Sequence, residues 1–449
     1  MASEFVNANL PNHTLRRSSS ESFLDHDRAF YDEATQTMSR DELRALQDER
    51  VRELTRTALE RPIPFFARKL AEAGIEGPDD VKGVDDLNRI PLTVKQELRD
   101  SEADHPPVGD YRGTDLRDNI RIGTSTGTTG TPTTILWTRH DLLVDLEAGA
   151  RMFWRQGIRP GMILTHAHPA YLYAGGIMNT SVYEHMGCLC VWAEPPETDE
   201  SALKTLEFWQ RITPDRPFMG FATGRFIEVA NKNDIDLPSA GLDMSKNPPI
   251  TKDGILPLMT AGAEAMAYLG SACGEVNGGH VCEDFAVIQA VDPDTGEEVP
   301  DGQWGNFVIT TLGKDNFLVR YDLEEAVRID RSPCPCGETH LRGWWGGRMK
   351  DLLRTQGVSI MLQDLERALR RVKTVREPSL EYVVVRPTES TAPLVVRVEA
   401  NPDVTDLAAV GAEASSQLSD ALGVTVAVEA LERDSLPRAG YKATRVVEE

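Results

Sequence analysis

Two groups of residues in this chain have types and spacings that could do chemistry. The first is Gly123-Thr124-Ser125-Thr126-Gly127-Thr128-Thr129-Gly130-Thr131-Pro132, where five of ten residues are threonine and three are glycine. Glycines let a backbone bend until its N–H groups converge on an anion, and hydroxyls add neutral donors. The segment lacks the Gly-Lys-Ser/Thr ending of a Walker loop. It therefore predicts a phosphate cradle without a fixed lysine, although composition alone fits a Ser/Thr/Gly surface linker equally well. The second group is a cysteine–histidine set: Cys273 and His280 lie seven apart, and Cys334 and Cys336 flank one proline in Cys-Pro-Cys-Gly. Three thiolates and an imidazole suit tetrahedral Zn²⁺ and leave no open position, so such an ion would be structural. Cys282 is a possible substitute for Cys273 or His280, and a handful of buried cysteines is the alternative. Cys188 and Cys190 alternate in the apolar run from Gly187 to Trp192 and read as core.

The elements that must position these residues sit in a chain of 449 residues with 40 % apolar and 27 % charged content, enough for two to four domains and a sizeable core. Its net charge of −23 opposes the phosphate backbone of nucleic acids and anionic membrane surfaces, so neither is expected as a partner. Met1 to Leu10 shows no apolar core of a secretory signal, and no run is long enough to span a bilayer. With its cysteines clustered, the chain reads as cytoplasmic with reduced thiols.

Residues 1–25 read as a polar tail. Ser39-Arg40-Asp41-Glu42 is a capping box that opens a helix with Leu43, Leu46, Val51 and Leu54 on one face, stopped by Pro62 and Pro64. A second box, Thr138-Arg139-His140-Asp141, opens a helix that Gly157 would cap. The runs Gly161–Thr165, Gly187–Ala193, Phe285–Val291 and Phe307–Thr311 have strand length, and a strand ends near Asn119 to Ile122. This alternation predicts an α/β body with covered sheets over residues 26–347. After Gly347 the order is helix (Gln363–Val372), strands (Leu380–Arg386, Leu394–Ala400), helix (Asp406–Leu422) and strand (Val424–Leu431). That predicts a small α+β C-terminal domain over 348–449, acting as a mobile lid.

Five motifs carry a resemblance that covers the chain from about residue 39 to its end. They are Ser125 to Pro132; Val319-Arg320-Tyr321-Asp322-Leu323-Glu324-Glu325; Gly347-Arg348 with Lys350-Asp351 and Gly357; Leu436-Pro437-Arg438-Ala439-Gly440-Tyr441-Lys442; and Asp292-Pro293-Asp294-Thr295-Gly296 with Asp301-Gly302-Gln303-Trp304-Gly305. In their order along the chain they resemble the AMP-forming acyl-CoA synthetase superfamily, and most closely its phenylacetate–CoA ligase branch. The resemblance implies that ATP activates a carboxylate to an acyl-adenylate, pyrophosphate leaves, and the acyl group passes to coenzyme A. It assigns Ser125, Thr126, Gly127, Thr128, Thr129 and Gly130 to ATP, with the three threonines on the β- and γ-phosphates. Arg348 would contact ribose or α-phosphate, Lys350 would be the hinge, and Lys442 would stabilise charge on the α-phosphate. Glu325 stands where the branch has a ribose-binding aspartate. Glu264 is the expected Mg²⁺ ligand in a segment, Thr260 to Ser271, that is compressed relative to the branch, with Glu275 second. The branch also carries a set like Cys273, His280, Cys334 and Cys336. The acyl pocket falls at His168, Tyr171, Tyr173 and Gly175, where aromatic walls suit a flat aryl acid.

The expected function is thus adenylation of an aromatic carboxylic acid followed by transfer to CoA, in a protein that could form a homodimer. One rival keeps adenylation but changes the acceptor, as in amide formation or ATP-dependent diazotisation of an aryl amine with nitrite. The other is a non-catalytic nucleotide-binding module, against which the pairing of Lys442 with a complete threonine-rich loop argues.

Overall fold

The computed structural model describes residues 27–61, 63–125, 132–167, 172, 174–193, 195–217, 223–242, 259–275, 278–377, 379–389, 391–436 and 445–448. The expected N-terminal tail lies outside them. Both capping boxes form. Ser39 Oγ accepts from Glu42 N at 3.2 Å while Glu42 Oε2 accepts from Ser39 N at 2.9 Å, opening the helix Arg40–Glu60. Thr138 Oγ1 accepts from Asp141 N at 3.0 Å and opens the helix Arg139–Arg155, which Gly157 follows at φ 81°. Pro64 takes the first position of the next helix, Pro64–Glu72, where its missing N–H costs nothing.

Strands Leu189–Trp192, Ile163–His166 and Arg216–Pro217 form a three-stranded parallel sheet in that order. Parallel neighbours need crossovers, here made through helices Ala174–His185 and Asp199–Ile212. Val191, Leu206, Trp209, Phe226 and Val229 share one core, with Phe226 and Val229 supplied by the helix Thr223–Lys232. Leu189 and Trp192 are 56 % and 46 % exposed. Among the described residues, Leu189–Trp192 is an edge strand of this sheet. A second, seven-stranded sheet has the order Met259–Ala261, Met266–Ser271, Gly279–Val281, Arg342–Arg348, Tyr321–Asp330, Trp304–Thr311, Ala286–Val291. The strand expected near 119–122 is Arg121–Thr124, paired antiparallel with Thr134–Trp137.

The chain divides into two compact units. One comprises Met1–Gln289, Val308–Leu323 and Asp330–Trp344, and the other Ala290–Phe307, Glu324–Ile329 and Trp345–Glu449. Within the second, strands Val426–Leu431, Leu394–Glu399, Tyr382–Val385 and Val446–Val447 form a sheet in that order. Helices Leu362–Leu369 and Leu407–Leu422 pack Leu365, Leu369, Val410, Ala414 and Leu418 into the same core as Tyr382, Val384, Val396 and Val398. That is the α+β layering expected after Gly347, with element ends shifted by at most three residues. The hairpin Leu353–Thr355/Val358–Ile360 turns through Gln356 and Gly357, both at positive φ.

Candidate active site and candidate metal centre

The threonine-rich segment is the connection of a β-hairpin. Thr124 pairs with Thr134, and one residue further Ser125 N donates to the Thr133 carbonyl at 3.0 Å. Ser125 Oγ in turn accepts from Thr133 N at 3.1 Å, so backbone and side chain together close the loop's root. Thr126, Gly127, Thr128, Thr129 and Gly130 lie outside the described residues. On the outer side of the root, Thr124 N donates to the Leu172 carbonyl at 2.6 Å. Leu172 stands in sequence between Tyr171 and Tyr173, which with His168 lie outside the described residues. Gly175 falls in the first turn of the helix Ala174–His185.

Glu264 meets this root. Its Oε1 accepts from Thr133 Oγ1 at 2.8 Å and from the Lys95 ammonium at 2.7 Å. The carboxylate is almost wholly buried, which pushes its pKa up, yet the Lys95 charge and the two hydrogen bonds outweigh burial and hold it below the ordinary range. The backbone behind it is braced by Asp145, which accepts from Ala267 N at 3.2 Å, Trp137 Nε1 at 2.7 Å and Lys314 Nζ at 2.9 Å. Lys314 also donates to the Ala265 carbonyl at 3.1 Å. Glu275, the second candidate for the magnesium position, is exposed.

Sequence reasoning missed Lys95, Thr133, Glu102 and Arg112. Glu102 Oε1 accepts from Thr134 N at 2.9 Å and from Tyr111 Oη at 2.7 Å, and Arg112 donates to the Thr134 carbonyl. One signal was present in the sequence: a lysine opening a helix, where the helix dipole disfavours a cation.

The structure also gives Arg320 a task. Its guanidinium donates to the carbonyls of Asn88 at 3.1 Å and Ile90 at 2.7 Å. Thr93 N then donates to the Arg320 carbonyl at 2.8 Å, and Asp322 N to the Thr93 carbonyl at 2.9 Å. The Arg-Tyr-Asp motif therefore fixes the segment that leads into Lys95.

Within the second unit, Glu325 Oε2 accepts from Trp345 Nε1 at 2.8 Å. Arg348 ends the strand Arg342–Arg348 half-buried, and Lys350 is exposed in the turn Met349–Asp351, its carbonyl held by Arg386. Lys442 lies outside the described residues.

Cys273, His280, Cys334 and Cys336 converge in the first unit, their ligand atoms all within 4.8 Å of one another. Cys273 and Cys334 sulfurs stand 3.7 Å apart, and Cys336 Sγ is 3.3 Å from His280 Nε2. A tetrahedron with ~2.3 Å Zn–S bonds has S···S edges of about 3.8 Å, so the donor set fits zinc. The His280 Nδ1–H donates to the His340 carbonyl at 2.8 Å, which leaves the Nε2 lone pair facing the sulfurs. Cys282 is fully buried and is not one of the four; burial pushes its thiol up to about 11. Strand register sets His280: Ser271 pairs with His280 and Gly270 with Val281, and a Cβ on Gly270 would fall 1.9 Å from the His280 carbonyl oxygen. Only glycine fits there.

Residues 357–449 match the AMP-binding enzyme C-terminal domain. The chain is 31 % identical over 448 residues to a phenylacetate-coenzyme A ligase of Thermus thermophilus, covering 93 % of this chain and 99 % of that one. The chain belongs to the phenylacetate-coenzyme A ligase family. A second ligase of that name, from Escherichia coli, is 26 % identical over 442 residues, covering 92 % and 96 %. Among solved structures, an open conformation of 2-hydroxyisobutyryl-CoA ligase superposes with a TM-score of 0.76 over 99 % of this chain and 98 % of that one. At 22 % identity this is a likeness of fold. The architecture of the phenylacetate-coenzyme A ligase family, a large α/β body followed by a small α+β domain, is the one expected from the sequence. Among the described residues, no helix is long and apolar enough to cross a membrane.

Proposed function

We propose that this enzyme activates an aromatic carboxylic acid with ATP and transfers the acyl group to coenzyme A. In the first step a carboxylate oxygen attacks the α-phosphorus and pyrophosphate leaves; in the second the CoA thiol attacks the adenylate carbonyl and AMP leaves. The observation that carries this reading is the 31 % identity with a phenylacetate-coenzyme A ligase over 93 % of this chain, joined to a threonine-rich loop whose root is tied to Glu264. Ser125 to Gly130 would cradle the triphosphate, with Thr126, Thr128 and Thr129 on its β- and γ-phosphates. Glu264 would hold Mg²⁺, which supplies charge neutralisation of the phosphates when bound. Glu325 would meet the ribose and Arg348 the ribose or α-phosphate. Lys442 would stabilise charge on the α-phosphate, brought there by a C-terminal domain turning about Lys350. His168, Tyr171, Tyr173 and Gly175 would line the acid pocket, next to the loop root that Leu172 touches. Cys273, His280, Cys334 and Cys336 would hold one structural zinc. Action in the cytoplasm, on small molecules and as a homodimer, belongs to the same proposal.

Exchange of labelled pyrophosphate into ATP, run with phenylacetate, benzoates, aryl amines and nitrite, tests the first step, and thioester formation with CoA tests the second. Exchange driven by an aryl acid, followed by its CoA thioester, is the expected result. Exchange with an aryl acid but no thioester, or exchange only with nitrite or an amine present, would overturn it.

A further inference from the structure

Lys95 opens the helix Lys95–Asp104, yet it does nothing for that helix. The helix start is served by Glu97, whose Oε2 accepts from Val94 N at 2.8 Å and whose Oε1 pairs with Lys69 at 2.8 Å. A cation in the first turn works against the helix dipole. Its ammonium instead reaches Glu264, 169 residues further along the chain, at 2.7 Å, with both side chains largely withdrawn from water.

The contact continues into the loop root in a defined direction. An ionised carboxylate only accepts, so the single hydroxyl proton of Thr133 goes to Glu264 Oε1. The Ser125 hydroxyl, 3.0 Å from Thr133 Oγ1, then donates to Thr133 and accepts from Thr133 N. Seven residues after Lys95, two turns on and on the same helix face, Glu102 accepts from Thr134 N. One helix thus grips both residues that follow the loop, through Lys95 and Glu264 on Thr133 and through Glu102 on Thr134. The ladder from Thr93 to Arg320 and Asp322 fixes where that helix begins.

We propose that Lys95 is a positioning residue for adenylation. It fixes the plane of the Glu264 carboxylate and, through Thr133 and Ser125, the root of the threonine-rich loop, in the arrangement that receives the metal–triphosphate. This rests on the reading of Glu264 as the magnesium residue.

The test compares Lys95→Met, Lys95→Arg, Thr133→Val, Thr133→Ser and Glu264→Gln in the full chain. Two quantities are read: the Mg²⁺ concentration that half-saturates pyrophosphate–ATP exchange, and the affinity for Mn²⁺ measured by electron paramagnetic resonance with α,β-methylene-ATP. Partners that orient a metal ligand are typically worth 10–100-fold in metal affinity. Lys95→Met should weaken both by about 10–100-fold, with the KM for the acid within about twofold, and Thr133→Ser should restore what Thr133→Val loses. A folded Lys95→Met protein with wild-type metal dependence overturns the proposal. If Lys95→Met does not fold at the assay temperature, the Thr133 pair decides, and equal metal dependence in Val and Ser variants overturns it. A merely structural ion pair would lower the melting temperature without moving the Mn²⁺ affinity of the folded fraction. Glu264→Gln separates the two readings: if it too leaves metal dependence unchanged, the magnesium assignment of Glu264 itself fails.

Discussion

The Cys/His cluster and the Glu264 cluster are both assembled from residues distant in sequence, but they balance charge in opposite ways. Three thiolates and a neutral imidazole would carry three negative charges, and the ligand atoms face one another within 4.8 Å. In that deprotonated form the proposed zinc would supply the balancing charge. Glu264 already has its countercharge in Lys95, and its backbone rests on the Asp145–Lys314 pair. As the proposed zinc site, the first cluster has its four ligand atoms turned toward one another and would hold the fold. The second is fixed from behind by protein groups and meets the root of the loop proposed to hold the nucleotide.

Removing the metal should therefore damage only one of the two. Cys334→Ala combined with Cys336→Ala should abolish zinc in elemental analysis and cost several kcal/mol in denaturant unfolding. The wild type should carry one zinc per chain, and a strong chelator should lower its melting temperature. Well under one zinc, or unchanged stability in the double variant, would break the comparison at its metal end. Lys314→Met sharpens the other end. It leaves Asp145 buried and charged without its partner, a loss of roughly 3–5 kcal/mol, and the deficit should be the same with or without chelator. A chelator-dependent deficit would mean that the two clusters are coupled.

Next in size is Lys442→Ala. If the Glu264 side is the reactive one, loss of a preorganised charge at the α-phosphate should slow adenylate formation by about 10²–10³-fold, or ~3–4 kcal/mol. Thioester formation from presynthesised acyl-adenylate should persist, and stability should barely move. Lys350→Pro should impair the second half-reaction while leaving the first measurable. Equal loss of both half-reactions in Lys442→Ala would remove the two-orientation mechanism.

The sequence exposed what depends on neighbours in the chain and hid what depends on folding. Ser39 with Glu42 and Thr138 with Asp141 are local boxes, so the starts of their helices were readable. The four zinc-type ligands were readable because sulfur and imidazole donors are scarce and Cys-Pro-Cys-Gly is a poor core sequence. Ser125 and Glu264 were each visible as motif residues, but nothing in a linear string connects them. Lys95 and Thr133 supply that connection: Lys95 stands out only as a cation at a helix start, and Thr133 is one threonine among many. The run Gly187–Ala193 was likewise legible as a strand but not as to its place in the sheet. An apolar run predicts strand, while edge or centre is decided by the sheet's strand order.

The smallest expected effect concerns the far end of the helix that carries Lys95. Asp110 Oδ1 accepts from Ser101 Oγ at 2.8 Å, and Oδ2 pairs with Arg68 at 2.8 Å. Partial burial pushes the carboxyl up, but Arg68 and Ser101 outweigh it and hold the pKa below the ordinary range. A depressed folded pKa means that the pair's stabilisation is complete above the unfolded value near ~4 and is lost as pH falls through the folded value. Arg68 is more than half exposed, so solvent screens much of the contribution. Asp110→Asn should therefore lower the urea midpoint slightly at pH 6–7, by an amount that stays constant down to about pH 5 and shrinks below it. The zinc cluster should respond differently, because its ligands bind metal only when deprotonated and its affinity falls steadily with acid. The Cys334→Ala/Cys336→Ala deficit should thus begin to shrink at higher pH than the Asp110→Asn deficit. If both shrink over one common window, metal ligation is not what distinguishes the two regions.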